Sequence, residues 1–106
     1  MKYEKAWADS ISDDLKGISE SEFNRIDAKL DSILDFPNQK SSRIKNMIEN
    51  IRRIRIGNHR LIIYVKNETM TVYALAYLPR KLCYKKEKLK MYNKISKTLT
   101  GTNIIY

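Results

Sequence analysis

The chain has little of several residue types on which common active sites depend. It holds one cysteine, Cys83, and one histidine, His59, in 106 residues. A single cysteine excludes an internal disulfide and fits a reducing compartment, so we expect a cytoplasmic protein. One Cys and one His are too few for a structural zinc site of the usual kind, and an acid–base scheme built on two histidines is excluded. We therefore expect no metal and no cofactor.

Long apolar runs, glycine and proline are also scarce. Apolar runs are short: Leu61–Val65 spans five residues and Val72–Leu78 spans seven, both far short of a membrane-spanning helix. The first ten residues include acidic side chains where an export signal needs an apolar core. With 3 Gly, 2 Pro, 42% hydrophobic and 31% charged residues, the composition is that of a globular protein without low-complexity segments. We expect a single domain over residues 1–106 and no membrane partner.

Positive charge is abundant but unevenly placed. Residues 1–36 carry five basic and nine acidic side chains, whereas residues 37–106 carry sixteen basic and three acidic ones, for an overall charge of +9. This asymmetry predicts that the second half forms a surface for a polyanion, with RNA as the leading candidate. The alternative for the lysines alone is a solvated surface that keeps the protein soluble.

Hydrophobic periodicity in the first third predicts a strand followed by two helices. Weak alternation over residues 1–7 indicates a short strand, and a short helix is expected to stop at Gly17. Ser19 and Glu22 form the S-x-x-E pattern of a capping box, which opens a second helix that ends before Pro37. The apolar stripe of that helix comprises Phe23, Ile26, Leu30, Ile33 and Leu34. The two helices are expected to pack as a hairpin.

The period then changes to two, which predicts strands. Arg53–Ile56 alternates strictly, Gly57–Asn58 is a hairpin turn signal, and Leu61–Val65 has the composition of a central strand. Thr71–Leu78 is the next strand, with one face assigned to Val72, Ala74, Ala76 and Leu78. Residues 88–106 are expected to form a lysine-rich C-terminal helix and tail. The predicted fold is α+β, with an N-terminal strand, a helical hairpin, a three-stranded antiparallel meander and a C-terminal helix.

Four arginines are expected to converge on one surface of this meander. Arg53 and Arg55 share a face, Arg60 begins the next strand, and Arg80 follows the third strand with Tyr84 four residues later. Guanidinium groups on one surface repel each other by roughly 1 kcal/mol per pair, which a bound anion relieves. The planar fork of arginine suits phosphate oxygens, and a tyrosine ring suits base stacking. The alternative is that acids from the helical hairpin pair with these arginines.

The same segments resemble the RelE/ParE toxin superfamily over residues 1 to about 90. The resemblance rests on three motifs in order behind a helical hairpin: RIRIG at 53–57, HRLIIY at 59–64 and LPRKLCY at 78–84. It implies a RelE-like fold. Members of the RelE branch are ribosome-dependent ribonucleases that are held inactive by an antitoxin. Members of the ParE branch share the fold, lack the basic and tyrosine catalytic set, and poison DNA gyrase.

The resemblance implies a catalytic set and partners. It implies that Arg53, Arg55, Arg60, Arg80 and Tyr84 cleave messenger RNA on the ribosome by attack of a 2′-hydroxyl on the adjacent phosphate. Lys45, Lys81, Lys85 and Lys86 are the expected further RNA-binding residues. A cognate antitoxin is the expected protein partner, in a toxin–antitoxin hetero-oligomer. The alternative function is a ParE-like or catalytically silent toxin that acts by binding alone, and a plain RNA-binding protein is a third.

Two departures from the family pattern bear on the chemistry. Arg53 and Arg55 stand where the RelE branch usually has lysines, and arginine effectively cannot shed its proton. The general base is therefore open: Tyr84, Lys81, Lys45 or His59 serves, or the site works by positioning and charge alone. Tyr84 would need its pKa lowered by neighbouring cations. Leu78-Pro79 replaces a usual Gly-His or Gly-Lys, and Cys83 is expected to be packed rather than reactive.

Overall fold

The computed structural model describes residues 2–101, which form one α+β unit around a five-stranded sheet. The strands are β1 (Glu4–Trp7), β2 (Ser42–Arg43), β3 (Ile51–Ile56), β4 (His59–Lys66) and β5 (Thr71–Pro79). The helices are α1 (Glu20–Asp31), α2 (Arg80–Cys83) and α3 (Lys86–Gly101), and two 3-10 segments span Asp9–Ile11 and Asn67–Thr69. Within these residues, no helix is long and apolar enough to cross a membrane.

The sheet has the strand order β1-β5-β4-β3-β2. The N-terminal strand β1 runs parallel to β5, while the other pairs are antiparallel. A bulge interrupts the β4–β5 ladder, because Ile62 pairs with Ala76 and Ile63 pairs with Ala74. Leu75 is therefore the additional residue, and the side chains of β5 change face at this point.

Each face of the sheet has its own apolar core. On the first face, α1 packs against the sheet, and the buried residues include Ile26, Leu30, Ile54, Ile56, Leu61, Ile63, Val72 and Ala74. On the other face, α3 packs against the sheet, and the buried residues include Ile51, Ile62, Tyr64, Leu75, Leu78, Tyr92 and Leu99. The sheet is thus the middle layer of three.

The N-terminus of α1 is capped and tied to the sheet. Ser19 Oγ accepts a hydrogen bond from the Glu22 amide at 3.0 Å, as the capping motif predicts. The Glu22 carboxylate does not return to the cap but accepts a hydrogen bond from the Tyr77 hydroxyl at 2.7 Å. Burial, with this carboxylate beside it, raises the pKa of Tyr77 to about 12. Glu22, in the first turn of α1, therefore joins this helix to β5.

The α+β class and the predicted order of the main elements are confirmed, but the first arm of the helical hairpin differs. Instead of an α-helix, a 3-10 turn and further turns lead to Gly17, which has a φ of +79°. Ser10 Oγ donates to the Leu75 carbonyl, and the Asp14 carboxylate accepts from the Tyr77 amide. Short polar side chains that bond to a neighbouring strand hold this segment against β5, where it contacts the sheet in place of a regular helix.

Three other details differ from the sequence-based expectation. The bulge at Leu75 places Val72 and Ala74 in the core under α1, and Ala76 and Leu78 in the core under α3, rather than all four on one face. Strand β2 and helix α2 were not predicted. The C-terminal helix begins at Lys86, and the expected tail at 102–106 lies outside the described residues. The single-domain boundary of 1–106 stays a prediction.

Candidate functional site

All five residues predicted to be catalytic line one pocket. It has a volume of about 220 Å³, and its lining residues are Arg53, Arg55, Arg60, Arg80 and Tyr84. Strands β3 and β4 supply three of the arginines, while α2 and the residue after it supply Arg80 and Tyr84. We call this the arginine pocket. The structure therefore brings together side chains that are 31 residues apart in sequence, as counted from Arg53 to Tyr84.

The register of the strands places like charges against each other. Arg55 lies directly opposite Arg60 in the β3–β4 pair, so their side chains share a face. Arg53 lies on the same face, opposite Ile62, two residues along β3. Like charges directly opposite on neighbouring strands destabilise a sheet unless a counter-charge is present. The arrangement favours binding of an anion.

Arg60 is held by the β3–β4 turn. Its side chain is buried, with the residue only 7% exposed, and its Nη1 donates to the Gly57 and His59 carbonyls at 3.3 and 2.9 Å. The same turn positions Arg80, whose amide donates to the Asn58 carbonyl at 3.0 Å. Sequence reasoning identified Gly57–Asn58 as a turn but missed its role in positioning two site arginines. That role depends on backbone carbonyls, which leave no signal in residue identity.

Tyr84 lies against Arg53 at the rim of the pocket. The Arg53 guanidinium carbon is 5.6 Å from the centre of the Tyr84 ring, which is a cation–π distance. Burial raises the pKa of the Tyr84 phenol, and this effect outweighs the opposing pull of the Arg53 and Arg60 charges. Proton transfer by Tyr84 would need this pKa to be lowered by the neighbouring cations, and that condition is not met. Tyr84 is therefore a protonated phenol and a stacking ring at neutral pH.

The alternative that acids neutralise the pocket arginines is not seen. The ion pairs formed within residues 2–101 join Lys5 to Asp27 and Asp31, Lys16 to Asp13, and Lys40 to Asp35. None of them includes a pocket arginine, so these four guanidinium groups have no carboxylate within 4.0 Å in the described part of the chain. The positive charge of the pocket is therefore not balanced by a carboxylate of the described residues, which favours an anionic ligand.

The four predicted RNA-binding lysines differ in where they lie relative to the arginine pocket. Lys81 lines a neighbouring groove of about 390 Å³ together with Arg60 and Arg80. Lys85 and Lys86 are exposed just after Tyr84, at the start of α3. Lys45 is exposed in the turn between β2 and β3 and does not line the arginine pocket. Of the predicted RNA-binding lysines, Lys81 is therefore the one that the structure places beside the pocket arginines.

His59 and Cys83 do not belong to the pocket. The His59 ring stacks on the Tyr77 ring at 4.7 Å, on the α1 side of the sheet, which agrees with the expectation that His59 and Arg60 face opposite ways. Cys83 is fully buried, its Sγ donates to the Arg80 carbonyl at 3.2 Å, and burial raises the pKa of its thiol. Cys83 is packed, and His59 has no path to a ligand in the pocket. Among residues 2–101 no group of three potential metal-binding side chains occurs.

Neighbouring Arg52 has a different role from Arg53. Its guanidinium donates to Ser41 Oγ and to the Asn38 carbonyl, both at 2.7 Å. It also donates to the Ser41 carbonyl at 2.9 Å and to Asn50 Oδ1 at 3.1 Å. Arg52 therefore ties the loop before β2 to β3, whereas Arg53 points into the pocket.

This difference predicts unequal effects on stability for substitutions at the two adjacent positions. Arg52→Met is expected to lower the free energy of unfolding by about 2–4 kcal/mol, because it leaves the partly buried carbonyls of Asn38 and Ser41 without their donor. Arg53→Met is the matched control and is expected to change it by less than about 0.5 kcal/mol. Urea denaturation measures both. Equal losses from the two variants would contradict the assignment of Arg52 as the structural arginine.

Comparison with known proteins identifies solved structures that have a similar fold. No family model and no curated protein matches the sequence. A mutant of the Escherichia coli RelE toxin in the free state matches at a TM-score of 0.69, with 14% identity, 92% of this chain and 98% of that chain covered.

Two toxin–antitoxin complexes also match. RelBE2 from Mycobacterium tuberculosis has a TM-score of 0.66 and 16% identity, with 76% of this chain and 100% of that chain covered. The RelB–RelE complex from Methanococcus jannaschii has a TM-score of 0.57 and 25% identity, with 76% and 95% covered. The resemblance that the sequence motifs indicated is thus confirmed at the level of three-dimensional structure. The chain has the fold of the RelE toxins.

Proposed function

We propose that this chain is the toxin component of a toxin–antitoxin system and that it cleaves messenger RNA on the ribosome. The observation that carries the proposal is the arginine pocket, in which Arg55 opposes Arg60 and no carboxylate of residues 2–101 lies within 4.0 Å of the four guanidinium groups. An RNA phosphate supplies the counter-charge that this pocket lacks. The RelE fold agrees with this proposal, since the similar proteins are toxins or complexes of toxin with antitoxin.

The pocket suits the transfer step by which RNA cleaves itself. The 2′-oxygen of one ribose attacks the adjacent phosphorus, the bond from phosphorus to the 5′-oxygen of the next nucleotide breaks, and a 2′,3′-cyclic phosphate forms. Negative charge gathers on the phosphoryl oxygens as this occurs. Arg60 and Arg80 would hold those oxygens, since the turn binds the Arg60 guanidinium and the backbone amide of Arg80. Arg53 and Arg55 would bind the flanking phosphates.

The structure limits which group takes the proton of the 2′-hydroxyl. His59 is on the opposite face of the sheet, and burial raises the pKa of Tyr84, so neither is suited to be a base at neutral pH. Lys81 lies beside Arg60 and Arg80 and is the remaining candidate near the phosphate. We propose that positioning and charge supply most of the rate, with the proton passing to solvent or to Lys81 and a proton returning to the 5′-oxygen.

A test of the function maps transcript ends in cells that express the chain. Primer extension on translated messages is expected to reveal new ends inside codons, and messages without a start codon are expected to remain intact. An antitoxin encoded next to this gene should suppress the cleavage when it is expressed together with the chain. Growth arrest with intact transcripts and inhibited gyrase would instead support a ParE-like toxin that acts by binding alone.

Tyr84 provides a test of stacking against proton transfer. Tyr84→Phe keeps the ring against Arg53 and is expected to cleave within about threefold of the original rate, whereas Tyr84→Ala is expected to lose about 5- to 150-fold, the range of one base–aromatic stack. Single-turnover cleavage of a ribosome-bound message measures both rates. If Tyr84→Phe were as slow as Tyr84→Ala, the hydroxyl rather than the ring would carry the function.

A further inference from the structure

A second set of depressions lies between α1 and the outer edge of β3. One has a volume of about 520 Å³, and its lining includes Arg25, Lys29, Arg55 and Gly57. The other has a volume of about 330 Å³, and its lining includes Lys29, Lys40, Arg53 and Arg55. Because the two share Lys29 and Arg55, we treat them together as the α1 groove.

The α1 groove is continuous with the arginine pocket through its lining. Arg53 and Arg55 line both, so a ligand that fills the pocket meets the groove without crossing an uncharged surface. Arg55 lines all three depressions. A linear polyanion that leaves the pocket past Arg55 would therefore enter the groove next.

The charges of α1 are divided between its two sides. Asp27 and Asp31 turn toward β1, where both bond to the Lys5 ammonium at 2.7 Å. Arg25 and Lys29 are one helical turn apart on the groove side, and neither takes part in an ion pair within residues 2–101. Two unpaired cations one turn apart repel each other and favour an anion between them.

Lys40 is different, although it also lines the groove. Its ammonium bonds to both oxygens of Asp35, at 3.0 and 3.1 Å, and to the Ser32 carbonyl. Its charge is already balanced by a carboxylate. The groove therefore offers Arg25 and Lys29, rather than Lys40, to a ligand.

The sheet edge beside the groove is open. Strand β2 has two residues, which pair with Arg52 and Arg53 only. Beyond Arg53, the backbone of residues 54–56 has no strand partner on its outer side within the described part of the chain. An unpaired edge offers amide donors, which bind phosphate oxygens as well as peptide carbonyls.

We propose that the α1 groove is a second RNA-binding site, in which Arg25 and Lys29 bind phosphates of the strand that leaves the arginine pocket past Arg55. This inference rests on the proposed function, since it assigns the path of the same RNA. It adds two cations from the N-terminal, net-acidic third of the chain to an interface that otherwise comes from the basic part. An acidic peptide strand is the competing occupant of such an edge, and the experiment separates the two.

The experiment measures binding of single-stranded 2′-O-methyl oligonucleotides, which cannot be cut by 2′-hydroxyl attack, by fluorescence anisotropy. A trinucleotide covers the arginine pocket, and a decanucleotide also reaches the groove. Arg25→Gln combined with Lys29→Gln is compared with Lys94→Gln combined with Lys97→Gln, which removes two exposed charges from α3 on the other face of the sheet. Thermal melting checks that both variants are folded, and cleavage of translated messages by the original chain is assayed in parallel.

The groove variant is expected to bind the decanucleotide about 10- to 100-fold more weakly at about 50 mM salt, and its salt slope is expected to fall by about 1.4, which corresponds to two lost phosphate contacts. Trinucleotide binding and the α3 variant should be unchanged. Equal losses at both lengths, or in both variants, would overturn the inference. The inference would also be overturned if the groove variant lost binding only to a fluorescent deca-glutamate peptide and not to the decanucleotide. The groove would then be a protein-docking site.

The parallel cleavage assay separates failure of this inference from failure of the proposed function. If the original chain cleaves messages but binds the two oligonucleotides equally, or binds neither, the groove is not part of the RNA path and the proposed function stands. If it neither cleaves nor binds, both are overturned.

Discussion

Replacing Arg80 by alanine is expected to lower the rate of message cleavage by about 10²- to 10³-fold, the usual effect of removing one donor to a charged transition state. Arg80 is exposed, so the free energy of unfolding should change by less than about 0.5 kcal/mol. Single-turnover cleavage on programmed ribosomes measures the rate, and urea denaturation measures stability. The loss should appear in the rate at saturating ribosome complex rather than in binding alone.

The control for Arg80→Ala is Lys97→Ala, which removes an exposed cation from α3. It is expected to leave the cleavage rate within about twofold, because single exposed charges contribute little at a distance. If Arg80→Ala cleaved within about threefold of the original chain, the arginine pocket would not be the catalytic site. A binding role would then be the better account of its charge.

The second prediction concerns the turn that positions Arg60 and Arg80. Gly57 has a φ of +58°, and a side chain in this left-handed region costs about 1–2 kcal/mol. Its carbonyl accepts from Arg60, and the next carbonyl, that of Asn58, accepts from the Arg80 amide. Gly57→Ala is expected to slow cleavage by about 10- to 100-fold, since small displacements of catalytic groups have effects of this size.

Gly17→Ala is the matched control for this prediction. Gly17 has a φ of +79°, so alanine there meets the same kind of backbone strain, and no heavy atom beyond the adjacent residues lies within 4 Å of its added Cβ. At Gly57 the added Cβ would lie 3.1 Å from Arg25 Nη2, the mobile end of a side chain, so steric strain is small at both positions. Both variants should lose similar stability, and only Gly57→Ala should lose cleavage. Equal loss of activity would contradict a positioning role for the turn.

Local patterns in the sequence predicted the parts of the fold whose cause is local. The strict alternation around Arg53 and Arg55 predicted β3 and the face of its arginines, since successive side chains of a strand point to opposite sides. Gly57–Asn58 predicted the turn, because few other residues adopt its backbone conformation. Ser19 predicted the start of α1.

Elements that depend on distant partners were not predictable in the same way. The segment 10–17 has helix signals, but Ser10 and Asp14 bond to β5 and keep it in turns. The bulge at Leu75 has no glycine or proline to mark it, so the expected single face of β5 was wrong. The raised pKa of Tyr84 comes chiefly from partial burial of the phenol in the folded chain, which counting nearby cations did not reveal.

The sequence alone determined the α+β class, the concentration of positive charge after residue 36 and the five residues of the arginine pocket, because these depend on composition, period and motif order. Only the tertiary structure decided that Arg55 opposes Arg60, that Arg52 is structural while Arg53 is not, and that Arg25 and Lys29 line a groove that joins the pocket. Such features depend on which surfaces the packing of α1 and the short β2 leave open. These open surfaces exist only in the folded chain, so they cannot be identified from the order of the residues alone.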